Sequence, residues 1–272
     1  MSGELEIAPQ TNAQAPPDNS VTSPASPAIG AGGLRKRFGA LEVTRGVDLS
    51  LQPGARHALI GPNGAGKTTL VNLLAGALAP DEGTVHLLGQ DITEFSQAER
   101  VRAGLVRTFQ ISELFKSLTV LENIALARAQ RLGLATRWWR PLGHYPDVVE
   151  QSMDVLERLA LADDAARPVV ELAYGRQRLV EIAIALALEP RVLLLDEPAA
   201  GVPAQDTERI LGAMDTLSDD IAVLIIEHDM NIVFRFASEI TVLVEGEVLM
   251  TGGPEEVARD EAVRRVYLGQ SA

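Results

Sequence analysis

One stretch of the chain has a composition suited to holding phosphate: Gly61-Pro62-Asn63-Gly64-Ala65-Gly66-Lys67-Thr68-Thr69, a match to G-x-x-x-x-G-K-[ST]. Its glycines let the backbone curl so that successive N–H groups, and the N-terminus of the helix that follows, face an anion. Lys67 adds a positive charge at the β/γ positions of a nucleotide, and the Thr68 hydroxyl is a ligand for Mg²⁺. A chance glycine turn is the plain alternative. Against it, the apolar strand Ala58-Leu59-Ile60 precedes the loop and an apolar helix through Leu70, Leu73 and Leu74 follows it, which is the context the motif requires.

A second cluster lies far along the chain. Leu193-Leu194-Leu195-Asp196-Glu197-Pro198 places two carboxylates at the end of a buried strand, where open parallel sheets present their ligands. Asp196 would serve the Mg²⁺ shell. Glu197 would polarise an attacking water, because in-line phosphoryl transfer needs its nucleophile oriented more than it needs covalent help. Alone, the pair reads equally well as a solvated turn; beside a phosphate loop it reads as the other half of a hydrolytic site.

Such residues meet only if strands carry them to one edge of a sheet. Short continuous apolar runs at Ala58–Ile60, Val192–Leu195 and Val223–Ile226 read as buried parallel strands, standing before Gly61, Asp196 and His228 respectively. From Leu34 to Leu51 the pattern alternates and closes at Pro53-Gly54, which predicts an antiparallel β layer. Between Gln110 and Gly175 the pattern is mostly helical, with helices over Val120–Arg131 and Val148–Leu159, so a helical insertion is expected at about 111–175. Trp138-Trp139 reads as packing within it, with a partner surface as the other reading. Strands return at Ile240–Val244 and Val248–Met250, and a short helix follows Pro254. Residues 1–30, rich in Pro, Ala and Ser, read as a disordered tail ahead of one domain spanning 31–272.

Composition narrows the classes. With 37 acidic residues against 24 basic ones the net charge is −13, which repels polyanions and argues against a nucleic-acid partner. No cysteine is present, so disulfides, thiolate metal sites and a Cys nucleophile are excluded. No apolar run approaches the ~18–20 residues of a spanning helix, and no secretory signal opens the chain.

Together these motifs resemble the ATPase subunit of an ABC transporter, over about residues 34–268. The resemblance implies an α/β fold: a P-loop NTPase core with an antiparallel β layer and a helical subdomain insertion. It implies ATP and Mg²⁺ as the bound groups. Gln110 resembles the family's Q-loop glutamine, which touches Mg²⁺ and the attacking water. His228 resembles the switch histidine that contacts the γ-phosphate. Phe38 resembles the aromatic that stacks on adenine, an ordinary β-layer aromatic being the other reading. Leu172-Ala173-Tyr174-Gly175-Arg176-Gln177 stands in the place of the signature loop, which closes over nucleotide held by a second ATPase subunit.

That loop departs from the common Leu-Ser-Gly-Gly-Gln. Ala173 and Tyr174 replace Ser and Gly, so the hydroxyl is missing and phosphate recognition there rests on backbone N–H groups and the following helix dipole. Arg176, Ile184 and Pro203 also differ from the usual residues, which bears on dimer contacts. Ala-Tyr-Gly is similar to what branched-chain amino acid importers carry. So are Val106-Arg107-Thr108-Phe109-Gln110, Leu118-Thr119-Val120-Leu121-Glu122-Asn123-Ile124, Glu227-His228-Asp229-Met230 and the ending Tyr267-Leu268-Gly269. The resemblance implies integral membrane permease subunits as partners, an extracytoplasmic solute-binding protein indirectly, and a peripheral place at the cytoplasmic face of the inner membrane. Amide, urea or lipopolysaccharide systems, and a soluble ATPase outside transport, remain the other readings.

Overall fold

The computed structural model of the chain describes residues 26–108, 114–134 and 144–268. Gln110, Phe109, Trp138-Trp139 and most of the N-terminal tail lie outside the described residues.

Among the described residues the chain builds two sheets. Strands β1 (Ile29–Phe38), β2 (Leu41–Leu51), β4 (Glu82–Leu87) and β5 (Gln90–Asp91) run antiparallel in the order β2-β1-β4-β5. Strands β3 (Arg56–Ile60), β6 (Leu105–Arg107), β7 (Val192–Asp196), β8 (Ala222–Ile226), β9 (Glu239–Val244) and β10 (Glu247–Gly252) form the second sheet, in the order β10-β9-β3-β8-β7-β6. It is parallel except at β10, which returns from β9 through Glu245-Gly246, both in the left-handed region. Such a two-residue turn matches the twist of the strands it joins.

Strand β8, and β7 from Val192 to Leu195, are apolar without interruption because both of their faces are buried. Along β7, Leu193 and Leu195 pack into one core and Val192 and Leu194 into the other; along β8, Val223 and Ile225 separate in the same way from Leu224 and Ile226. Side chains that alternate across a strand leave no solvent face here, so no polar position is needed. One core includes the antiparallel layer, through Leu34, Val47 and Val85, together with helix α1 (Lys67–Ala75). The other includes α5 (Tyr174–Ala187) and α6 (Ala204–Asp215).

Among the described residues the helical insertion includes α3 (Val120–Arg131) and α4 (Pro146–Arg158), packed on α5 through Ile124, Leu156 and Val180. A capping box starts α3: the Thr119 hydroxyl accepts from the Glu122 N–H while the Glu122 carboxylate accepts from the Thr119 N–H. A second box at Ser96 and Glu99 starts α2 (Gln97–Ala103), whose Arg100 is fully buried. The Arg100 guanidinium donates to the Leu73 and Leu74 carbonyls at 2.7 and 2.6 Å. It thereby adds donors at the C-terminal end of α1, where among the described residues the Leu73 carbonyl otherwise accepts only from the Gly76 N–H at 3.3 Å. The chain continues with α7 (Met230–Phe236), α8 (Pro254–Arg259) and α9 (Glu261–Leu268).

Three boundaries differ from the sequence expectation. Ordered structure begins before residue 31: Ala28 and Ile29 are buried and β1 opens at Ile29, because these small and apolar residues seal the edge of the antiparallel core. The run Leu105–Phe109 reads as a strand, and β6 covers Leu105–Arg107 of it, Thr108 standing outside the strand. Helix α4 starts two residues early at Pro146, since proline at the first helical position sacrifices no hydrogen bond.

Candidate functional site

The phosphate-type loop leaves β3 at Ile60 and enters α1 at Lys67. Two of its glycines are required by close approach as well as by φ. A Cβ on Gly61 would lie 2.1 Å from the Leu243 carbonyl oxygen, and one on Gly66 would lie 2.7 Å from that of Val43. The loop is pinned from the side by the β9–β10 turn: the Gly246 N–H donates to the Ala65 carbonyl at 3.0 Å, and the Gly246 carbonyl accepts from the Arg45 N–H at 2.8 Å. Asn63 and Gly64 are exposed, Pro62 and Thr69 half-buried, and Ala65 buried. Gly66 caps α1 in a left-handed conformation with no side-chain bond to the helix and no acidic residue in the first turn. The first-turn N–H groups and the exposed Thr68 hydroxyl are therefore free of the capping side chain that would compete with an anion.

The Lys67 ammonium donates to the Gly61 and Pro62 carbonyls at 2.7 and 3.0 Å. Burial holds it below the usual lysine range, while Glu197 and Asp196 draw it the other way. Both carboxylates therefore act electrostatically on the lysine of the loop, although they come from a strand more than a hundred residues away in sequence.

Asp196 ends β7, and one of its oxygens accepts from the Arg107 guanidinium at 2.6 Å. Glu197 follows with φ 47°, a left-handed backbone for a residue with a side chain. Strain of this kind, of order 1–3 kcal/mol, persists where surrounding structure imposes it, often at functional positions. Here the Glu197 N–H donates to the Ile226 carbonyl at 2.9 Å, tying the turn to the end of β8. His228 emerges just past that same strand end, mostly exposed, with Nδ1 3.7 Å from Glu197 Oε1. The loop, Asp196, Glu197 and His228 thus occupy one edge of the parallel sheet.

Beneath them lies Glu227, 1% exposed. Its carboxylate accepts from the Ala199 and His228 N–H groups at 3.3 and 3.2 Å. Burial pushes this carboxyl above its usual range, against those two bonds and the nearby His228. Neither Glu227 nor Arg107 was singled out as functional from the sequence. Both sit inside stretches whose resemblance was noted, but no spacing rule assigns them a partner.

The signature-like loop is built at the start of α5. Ala173 is the N-cap and offers no side-chain bond, so the helix N-terminus is again uncapped by a side chain. The Tyr174 hydroxyl lies 3.4 Å from the Ala200 carbonyl, in the turn that follows Glu197, and the Arg178 guanidinium sits 5.5 Å over its ring. Gly175 is buried against α6, where an added Cβ would come within 2.5 Å of Asp206 Cβ. Arg176 turns toward the insertion: it pairs with Asp164 and donates to the Ala160 carbonyl at 2.8 Å. Phe38 ends β1 beside Leu41, both well exposed, and β2 runs on to the Val43 carbonyl that abuts Gly66. Gln110 lies outside the described residues.

The donors suit Mg²⁺. Thr68 and the second oxygen of Asp196 offer hard oxygen donors, and among the described residues no three His, Cys, Asp or Glu side chains converge as a protein-only cage. Mg²⁺ is commonly held in this way, by one or two protein oxygens with water and substrate phosphates completing the shell.

Comparisons with known proteins agree with this geometry. Residues 44–200 match the ABC transporter family, and residues 247–272 match the family described as branched-chain amino acid ATP-binding cassette transporter. The chain is 37% identical over 254 residues to the high-affinity branched-chain amino acid transport ATP-binding protein LivG of Escherichia coli K12, covering 90% of this chain and 99% of that one. It is 36% identical to BraF of Pseudomonas aeruginosa, with the same coverage of both chains. A crystal structure of an ABC transporter ATP-binding cassette in its ADP conformation superposes with a TM-score of 0.79 at 32% identity, over 89% of this chain and 99% of that one. A nucleotide-free cassette gives 0.78 at 33% identity, over 89% and 98%.

Proposed function

The chain belongs to the ABC transporter ATP-binding family and is an ATP hydrolase, and from that premise we propose that it energises an importer of branched-chain amino acids. The observation that carries this reading is the identity with LivG across 90% of the chain, reinforced by the match of its C-terminal segment to the branched-chain family. In this reading solute choice belongs to the partners, because the residues of the site described above suit phosphate and a divalent cation.

In this reading the loop N–H groups and Lys67 bind the β- and γ-phosphates, and Thr68 and Asp196 hold Mg²⁺, with Gln110 as a further ligand. Bound Mg²⁺ supplies neutralisation of phosphoryl charge. Glu197 orients the attacking water, and His228 donates to a γ-phosphate oxygen. Phe38 offers a ring face to adenine. The uncapped start of α5, at Ala173, Tyr174, Gly175 and Arg176, closes over nucleotide held by a second ATPase subunit, a copy or a close paralogue. Nucleotide touching both faces favours the closed pair, and hydrolysis removes that differential contact.

Integral membrane permease subunits dock on the helical insertion, at the cytoplasmic face of the membrane, and an extracytoplasmic solute-binding protein delivers the solute to them. No helix among the described residues is long and apolar enough to cross a membrane, so the chain requires such partners to act there. Exposed Phe115 and Val170 support a docking surface: the Val170 N–H donates to the Lys116 carbonyl, which places the two apolar side chains on adjoining backbone.

The test is Glu197→Gln with Mg²⁺ and ATP. Phosphate release should fall by about 10²–10⁴-fold while nucleotide still binds, and the variant should run as a nucleotide-dependent pair on size exclusion. Undiminished turnover would remove Glu197 from catalysis. Leucine uptake that survives deletion of the gene in cells with no second such ATPase would overturn the transport assignment.

A further inference from the structure

Arg107 spans the site from an edge strand. One guanidinium nitrogen donates to Asn72 Oδ1 at 2.5 Å and the other to Asp196 Oδ2 at 2.6 Å. Asn72 lies on α1, the helix that carries Lys67 and Thr68, and Asp196 ends β7, so one planar fork joins the two halves of the metal site. The side chains of Arg107 and Asp196 are 24% and 25% exposed, so solvent screens this pair only in part.

We infer that Arg107 is a positioning residue for Asp196 and that its charge sets how tightly the site takes a divalent cation. The inference rests on the nucleotide and Mg²⁺ reading given above. With Oδ2 committed to Arg107, Asp196 is left with one oxygen for the metal shell. The guanidinium and the metal are both cations that draw on the same carboxylate, so each weakens the hold of the other. Repulsion between a monovalent and a divalent cation a few ångströms apart is worth about tenfold in a binding constant even with water-like screening. Loss of Arg107 also frees the Asp196 rotamer, and refixing that one short side chain on the metal pulls the other way by about a fewfold. Charge wins, and the cost of removing it appears in geometry: a freely turning Asp196 holds metal more tightly and less productively.

The experiment titrates Mn²⁺ by electron paramagnetic resonance onto the full chain in the presence of a non-hydrolysable ATP analogue, with phosphate release measured separately. Arg107→Met should bind Mn²⁺ roughly fivefold more tightly than the wild type, the net of the two effects above. Arg107→Lys, which keeps the charge and loses the fork, should stay within about twofold of the wild type. Both should release phosphate more slowly. Should Arg107→Met not fold, Arg107→Gln is read in the same way. Unchanged or weaker Mn²⁺ binding in the uncharged variant would overturn the inference. Absence of Mn²⁺ binding by the wild type with the analogue would instead overturn the metal-site reading on which it rests.

Discussion

His228 Nδ1 stands 3.7 Å from Glu197 Oε1, across the ends of two adjacent parallel strands. Neither residue is buried enough for packing to explain the arrangement, since their side chains are 66% and 48% exposed. A sheet edge that brings a carboxylate and an imidazole together in solvent leaves both free to meet a substrate. His228→Ala is expected to lower the phosphate-release rate by about 10²–10³-fold, the usual cost of deleting a group that stabilises charge in the transition state. Fluorescent-nucleotide binding should change by less than about fivefold, because the contacts of the loop and α1 remain. An equal loss in both measurements would assign His228 to ground-state binding.

Lys67 is the charge around which the loop closes. Lys67→Ala removes charge-assisted hydrogen bonds to phosphate in a half-buried site, so nucleotide affinity should fall by about 10- to 100-fold. Titration with a fluorescent ATP analogue reads this directly, and wild-type affinity would contradict the role given to the loop.

Gly175 is fixed by a neighbour rather than by φ. Gly175→Ala places a methyl group 2.5 Å from Asp206 Cβ, so α5 must move away from α6. Overpacking of this kind should lower stability by about 1–3 kcal/mol in urea unfolding. The same displacement shifts Ala173 and Tyr174, so nucleotide-dependent pairing should weaken while binding of nucleotide to the single chain does not.

Glu227 gives stability a pH dependence of known sign. Its folded pKa is raised by burial above an unfolded value near 4.5. The folded state therefore binds the proton more tightly, and the contribution is fully present below that value and is lost as pH rises through the folded pKa. Urea unfolding of the wild type and Glu227→Gln across this range should show the wild type losing stability relative to the variant as pH increases. A constant difference would show that the buried carboxyl does not titrate there.

Much of this protein could be read from one dimension. The loop from Gly61 to Thr69 carries its own instructions, because a glycine-rich turn between a strand and a helix can form from local backbone rules. The runs at Val192–Leu195 and Val223–Ile226 announced strands buried on both faces, and the structure divides their side chains between two cores. Even α3 begins and ends where its apolar pattern puts it, at Val120 and Arg131. The start of β1 was less legible, since Ala28 and Ile29 become core residues only because the antiparallel sheet folds over them.

The sequence by itself determined the chemistry on offer: which groups are suited to phosphate, which carboxylates end a strand, and which helices and strands carry them. Only tertiary structure decided who faces whom. Arg107 meets Asp196 and Asn72, Glu227 receives the Ala199 N–H, and Gly175 lies against Asp206 through strand order and helix packing. The physical reason is range. Periodicity and turn chemistry act over a few neighbouring residues, whereas a hydrogen bond between residues 89 apart in sequence, as in the Arg107–Asp196 pair, exists only after the sheet has assembled.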